Sequence, residues 1–187
     1  MTAQDLILQL QNDVQKIIET TEQEVLNLDS KIVQWKENAE TWSVLECYEH
    51  LNIYNRFYNN QLEKALALSS SPQTFKSGWL GNYFTKMIAP TNEKPIKTMK
   101  HVDPKGSTLT FEVVEEFLGH QQKLLQLLNL AKSKNLNPRK ISVEFFRLLK
   151  IKIGDGFRFV VAHEQRHLQQ VLRTKKVAVS FLEKKTD

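Results

Sequence analysis

The stretch FVVAHEQRHLQQVL, Phe159 to Leu172, sets two histidines four residues apart in an apolar run, with a glutamate directly after the first. Val160, His163, His167 and Val171 recur at three and four residue steps, the spacing of one helical face. The segment reads as an amphipathic helix with both imidazoles turned inward. Two such rings lie about 5 to 6 Å apart at Cβ, close enough to share one ion. A buried pair without a partner carries a desolvation cost, and two charged rings repel; coordination relieves both. Residues 163 to 167 also spell HExxH, the signature of zinc peptidases. Three readings therefore stand: a peptidase, another metal site, or an ordinary helix.

The same period organises the chain on either side. Gly154-Asp155-Gly156 precedes the run, with Asp155 the expected cap of a last helix that continues to about Arg173, leaving residues 174–187 as a C-terminal tail. At the other end, Leu6, Ile7, Leu10, Val14, Ile17, Ile18, Val25 and Leu28 predict a first helix from about Ala3 to Leu28. Ser43 and Glu46 form an S-x-x-E capping box, so a second helix starts after Ser43 and runs to about Leu68. Prolines and glycines break up the pattern from Ser69 to Thr110, a long connection with room for a short helix over Trp79 to Ile88. Val114, Phe117, Leu118, Leu124, Leu125 and Leu128 predict a third long helix, which NLNPRK ends. A lesser apolar piece, VEFFRLLKIKI, follows. No stretch sustains two-residue alternation, so no sheet is expected. Four long amphipathic helices with a long connection between the second and third predict an all-α four-helix bundle, an architecture that builds metal sites from inward side chains.

Composition bounds the rest. At 187 residues and 41% hydrophobic, the chain is long enough to bury a core as one domain over residues 1–187. Its one cysteine, Cys47, rules out an internal disulfide. The N-terminus lacks the basic start and unbroken apolar stretch of a signal peptide, and no apolar run approaches the roughly 20 residues of a membrane span. A soluble, cytoplasmic protein is expected, without membrane partners. The net charge of +5 is scattered, and no aromatic residues interleave with the lysine clusters as a nucleic-acid platform requires. Nucleic acid is not an expected partner, and a symmetric homodimer is the default assembly.

A metal needs further ligands. His50 sits on or near an apolar face of the second helix, with Cys47 one turn before it. Standing by itself it reads as a core histidine bonded to a carbonyl or a tyrosine. Beside the pair on the last helix it reads as a third ligand. Three imidazoles from two helices leave open positions for water or substrate, the layout of a catalytic site. Cys47 is an occasional-ligand candidate, with a small buried hydrophobe its commoner role. His120 falls at the edge of its stripe and is expected at the surface or rim, and His101, in the lysine-rich connection, at the surface. Glu46, Glu49 and Tyr54 near His50, and Glu164 and Arg166 beside the pair, are candidates for supporting contacts. The last two point roughly 100° to either side of the pair, which leaves them a ligand-supporting or surface-pair role.

The peptidase reading is weak. In the extended motif HExxHxxGxxH, Gln170 stands in place of the glycine and Arg173 in place of the last histidine. The sole glutamate after Glu164 is Glu183, in a lysine-rich stretch.

WSVLECYEHL, Trp42 to Leu51, resembles the second-helix motif of the DinB-like (DinB/YfiT) superfamily, which commonly reads W-S-x-x-E-x-x-x-H-L. IGDGFRFVVAHEQRHLQQV, Ile153 to Val171, resembles that family's last helix, and FKSGWLGNYFTKMIAP, Phe75 to Pro90, its loop before the third helix. Together these cover most of the chain from Trp35 to Val171. The resemblance implies an up-down-down-up four-helix bundle holding a divalent metal, often zinc or nickel, on one histidine of the second helix and two of the last. Those positions match His50, His163 and His167. Relatives include metal-dependent thiol transferases that join bacillithiol or mycothiol to electrophiles, and proposed metal-dependent hydrolases. The expectation is thus a metal-dependent enzyme for a small-molecule substrate, with a thiol one candidate, acting through metal-bound water or a bound thiolate. The rival is a non-enzymatic metal-binding or stress-response bundle.

Overall fold

A computed structural model of the protein describes residues 2–92 and 94–184. Its elements in chain order are α1 (Ala3–Glu24), α2 (Ser30–Gln34), α3 (Val44–Ala67), α4 (Trp79–Ile88), a 3-10 turn (Lys100–Val102), α5 (Glu112–Ala131), the strands β1 (Arg139–Val143) and β2 (Phe146–Lys152), and α6 (Ile153–Glu183). The four long helices α1, α3, α5 and α6 are the predicted ones. α3 packs on α5 and α6, and α1 on the same two from the other side. Their apolar stripes converge in one continuous core that includes Val14, Ile17, Leu51, Leu62, Phe117, Leu124, Phe157 and Val171. No helix among the described residues is long and apolar enough to cross a membrane.

Local chemistry fixes where α3 begins. The Ser43 hydroxyl accepts from the Glu46 N–H at 3.1 Å, and Glu46 Oε2 accepts from the Ser43 N–H at 2.9 Å. The other oxygen of Glu46 takes the Lys36 ammonium at 2.8 Å and the Gly106 N–H at 3.0 Å. One carboxylate so starts the helix and fastens the chain on both flanks of the cavity described below. The short helix over Trp79–Ile88 in the connection matches the expectation.

Four expectations need correction. The first helix ends at Glu24 and not near Leu28. Val25 leaves helical geometry and Asp29 caps a new short helix by accepting from the Lys31 N–H at 2.7 Å. Val25 is still buried and Leu28 still packs on the core, so the apolar period runs straight through the break. At the other end the last helix continues past Arg173 to Glu183, because Ala178 is buried and Val171 is followed by further inward positions. The expected tail is helix as far as Glu183, and residues 185–187 lie outside the described residues.

The third correction is the piece VEFFRLLKIKI, which forms most of an antiparallel hairpin where no sheet was expected. Two register shifts interrupt its ladder, one between Arg139 and Ile141 and one between Ser142 and Val143. Bulges of this kind erase the two-residue alternation that marks a strand. The hairpin is held on α3: Gln61 brackets Ser142, its Oε1 accepting from the Ser142 N–H at 2.9 Å and its Nε2 donating to the Ser142 carbonyl at 3.4 Å.

Finally, Asp155 does not cap its own helix, whose N-cap is Lys152. It is fully buried at the third helical position and accepts from the Ser77 hydroxyl at 2.5 Å, the Gly78 N–H at 2.8 Å and Arg158 at 3.0 Å. Gly78 is the N-cap of α4, so the carboxylate of Asp155 serves a neighbouring helix. The approach is close enough that a Cβ on Gly81 would lie 2.1 Å from Asp155 Cγ. Asp155→Ala leaves the Gly78 N–H without its acceptor and Arg158 with only Asn82 and Ser77, and is expected to cost about 1 to 3 kcal/mol of stability, measured as a shift in the urea unfolding midpoint.

Candidate metal centre

Packing of α3 on α6 brings His50 against His163 and His167. The Nε2 atoms of His50 and His163 stand 3.3 Å apart. Ring centroids are 4.6 Å apart for His163 and His167, and 4.7 and 5.2 Å for His50 with His167 and with His163. One nitrogen of each ring lies within 4.8 Å of the others, and no fourth His, Cys, Asp or Glu among the described residues joins the group. Such a group can hold a metal ion.

The outer nitrogens settle the tautomers. His50 Nδ1 faces the carbonyl of Val102 at 2.7 Å, and His167 Nδ1 faces Gln170 Oε1 at 3.0 Å. Both partners are acceptors, so each Nδ1 carries the proton and each Nε2 presents a lone pair to the shared space. A metal-ligating histidine shows this same arrangement, its second ring nitrogen fixed by a carbonyl or carboxylate. His50 thus fulfils both sequence readings at once, being bonded to a backbone carbonyl and also part of the cluster. Trp42 packs 4.7 Å from the His50 ring and donates its indole N–H to Asp103 at 3.0 Å; Tyr54 packs 4.4 Å from His163.

The environment keeps all three rings neutral. Desolvation pushes the His50 pKa down to about 4, against the pull of the Val102 carbonyl and Asp103. His167 falls to about 3 through desolvation and the His50 ring, with Arg166 and Arg173 adding repulsion. His163 lies well below its usual value, first through desolvation and then through the other two rings and Arg166. Three neutral donors suit zinc, copper, iron or nickel, for which imidazole is a favoured ligand.

The cluster opens on a cavity of about 810 Å³. Its walls are the segment with Trp35 and Trp42, the outward turns of α6 at Gln170, Arg173 and Val177, and the connection around Ile96 and Met99. Arg166 donates to the backbone carbonyls of Asn92, Lys94 and Ala89, which ties that connection to α6.

The remaining candidates divide. Tyr54 touches the histidine rings, and Arg166 and Glu46 hold the cavity walls. Cys47 does not reach the cluster; it is fully buried in the core, where desolvation drives its thiol pKa up. Glu49 is engaged elsewhere, paired with Arg56 at 3.0 Å next to Glu116. Glu164 corrects the expectation of a ligand-supporting or surface role: it is 1% exposed and accepts from Gln121 of α5 at 2.8 Å. Burial there raises its pKa to about 7. Turned toward α5, its carboxyl is not where a peptidase's general base stands. His101 is exposed and bonds Glu144 at 2.8 Å, and His120 lies at the rim beside Glu116, both as expected.

Trp42, Asp103, the Val102 carbonyl and Gln170 were not singled out from the sequence. A backbone carbonyl leaves no side-chain signature. Gln170 registered only as a departure from the peptidase motif.

A family model described as the DinB superfamily matches residues 14–171. The chain belongs to the DinB superfamily. No curated protein and no solved structure gives a significant match. The DinB span contains His50, His163 and His167 and ends at Val171, so the last turns of α6 lie beyond it.

The depressed pKa values dictate how the metal-free protein responds to acid. Below about pH 6.5 the unfolded chain protonates these histidines while the folded rings stay neutral, so stability falls with pH, by up to about 1.4 kcal/mol per pH unit for each ring. The loss continues to about pH 4 for His50 and about pH 3 for His167. Glu164 acts with the opposite sign, since a carboxyl raised from 4.5 to about 7 binds its proton more tightly when folded. One carboxyl does not offset three rings. Urea midpoints of chelator-treated protein are therefore expected to fall steeply between pH 6.5 and 4.

Proposed function

We propose that the protein is a metal-dependent enzyme for a small-molecule substrate, with one divalent ion, zinc or nickel, on His50, His163 and His167. The observation that carries this reading is the convergence of three neutral imidazoles at the floor of an open cavity, with no fourth His, Cys, Asp or Glu among the described residues. A purely structural ion is normally closed by four protein ligands, whereas three ligands with an open side belong to catalysis. An ion held by these three rings would supply Lewis acidity, toward a water whose pKa it would lower to about 7 or toward a thiolate. Hydrolysis follows from the first and S-transfer from the second.

The chain's own groups prepare the site for either. The Val102 carbonyl and Gln170 hold His50 and His167 in the tautomer whose Nε2 is free. Trp42, Tyr54 and Phe159 pack against the rings and line the same cavity, so the approach to the cluster is framed by aromatic surface. Because all three donors are neutral, an ion's double charge stays uncompensated by its ligands and favours an anionic partner.

His163→Ala removes one of three rings that all contact one another. Protein purified without added metal or a nickel column is expected to carry about one equivalent of ion as wild type and to lose it in this variant, by elemental analysis. Wild-type metal content in His163→Ala contradicts the reading.

A further inference from the structure

The charges around the cavity are distributed unevenly. Its carboxylates, Glu37, Glu40 and Asp103, lie on the segment before α3 and just after the 3-10 turn. Glu40 is paired with Lys105 at 2.7 Å, and Asp103 accepts from the Trp42 indole and from the Lys105 N–H. The wall formed by α6 instead carries two guanidinium groups, Arg166 and Arg173, and no acid. Arg166 spends its donors on three backbone carbonyls, which leave its charge unneutralised. Arg173 lines the same cavity and makes no hydrogen bond or ion pair among the described residues. Six positions past His167, it lies about 9 Å further along the axis. Helical side chains lean toward the N-terminus, which carries its head back over the turn that holds Gln170. Its charge reaches the cluster, since it is one cause of the lowered pKa of His167. Residue 173 also lies beyond the family-matched span.

We propose that Arg173 is a specificity determinant: the substrate carries a carboxylate, which the guanidinium of Arg173 receives while another atom of the substrate reaches the three-histidine centre. The planar fork of arginine matches a carboxylate with two parallel N–H···O bonds, and an unpaired guanidinium at the mouth of a cavity is free to make them. Lys97, exposed across the connection and also unpaired among the described residues, is the competing cation. This inference rests on the metal reading above, since it fixes the other end of the substrate at the histidines.

Three small thiols that differ in the charge of their second end test it on the cobalt-substituted protein: 3-mercaptopropionate, 2-mercaptoethanol and cysteamine. Binding is read from the sulfur-to-cobalt charge-transfer absorption. Wild type is expected to favour 3-mercaptopropionate over 2-mercaptoethanol by about tenfold, the usual size of one charge-assisted contact, and to bind cysteamine most weakly. Arg173→Gln is expected to abolish that preference, lowering 3-mercaptopropionate affinity about tenfold more than that of 2-mercaptoethanol, and Arg173→Glu to invert the order of the two charged thiols. Residue 173 is exposed and unbonded, so neither variant disturbs the fold. Equal affinities in wild type overturn the proposal, as does a carboxylate preference that survives both variants or that Lys97→Gln removes instead. A wild-type protein that takes up no cobalt overturns the metal reading and the proposal with it; cobalt uptake without carboxylate preference overturns the proposal alone.

Discussion

The contact between His50 and His163, Nε2 to Nε2 at 3.3 Å across the interface of α3 and α6, is the constraint to which the rest of the structure answers. Two imidazole nitrogens meet at that distance only if one of them carries a proton for the other or both give lone pairs to a third party. The Val102 carbonyl takes the proton position of His50 for itself, which leaves a lone pair facing inward. With His167 held in the same sense by Gln170, the structure presents an inward lone pair on each helix, and the low dielectric around them disfavours relief by protonation.

Elements that look peripheral serve that contact. The 3-10 turn places the Val102 carbonyl on His50, and the residue before it, His101, is bonded to Glu144 at the tip of the hairpin. Glu144 is itself buried, with its N–H donating to the Tyr58 hydroxyl of α3 at 3.0 Å. The hairpin thus reaches back to α3 by three routes: through Gln61, through Tyr58, and through the turn that orients His50. On the far side of the cavity, Arg166 draws the connection onto α6 in the same way, with side-chain donors satisfying backbone carbonyls that no regular element satisfies. A long connection stripped of such ties would leave the cavity without a wall.

What could be read from the sequence follows from the kind of force involved. The four long helices were legible because each buries a stripe, and burial writes a period into the residues; the capping box at Ser43 marked its boundary to the residue. His50, His163 and His167 were legible for the same reason, as polar residues on faces otherwise apolar. The break at Val25 was not, since its apolar neighbours remain buried on both sides of the turn. The hairpin was hidden by its register shifts, and by exposed Phe146 and Leu148 standing where a strand's polar face belongs. Asp155 was recognised as a cap but assigned to the wrong helix, because capping through space between α6 and α4 has no local spacing to betray it.

The misreading of Glu164 exposes the physical principle behind the whole centre. His163 and Glu164 are consecutive on α6, face different neighbours, and are both buried. The same desolvation lowers the pKa of one and raises that of the other, so each is driven toward its neutral form. Gln121 answers Glu164 with a neutral donor, just as Val102 and Gln170 answer the histidines with neutral acceptors. An interior that admits so little charge tolerates a dication only at its boundary, where a cavity supplies water or an anionic ligand to complete it. The cluster stands at that boundary: His50 and His163 are buried and His167 half-buried, and all three line the cavity. Glu164, one residue away yet turned into the closed side, has no such outlet, and this separates a residue of the core from the histidines beside it.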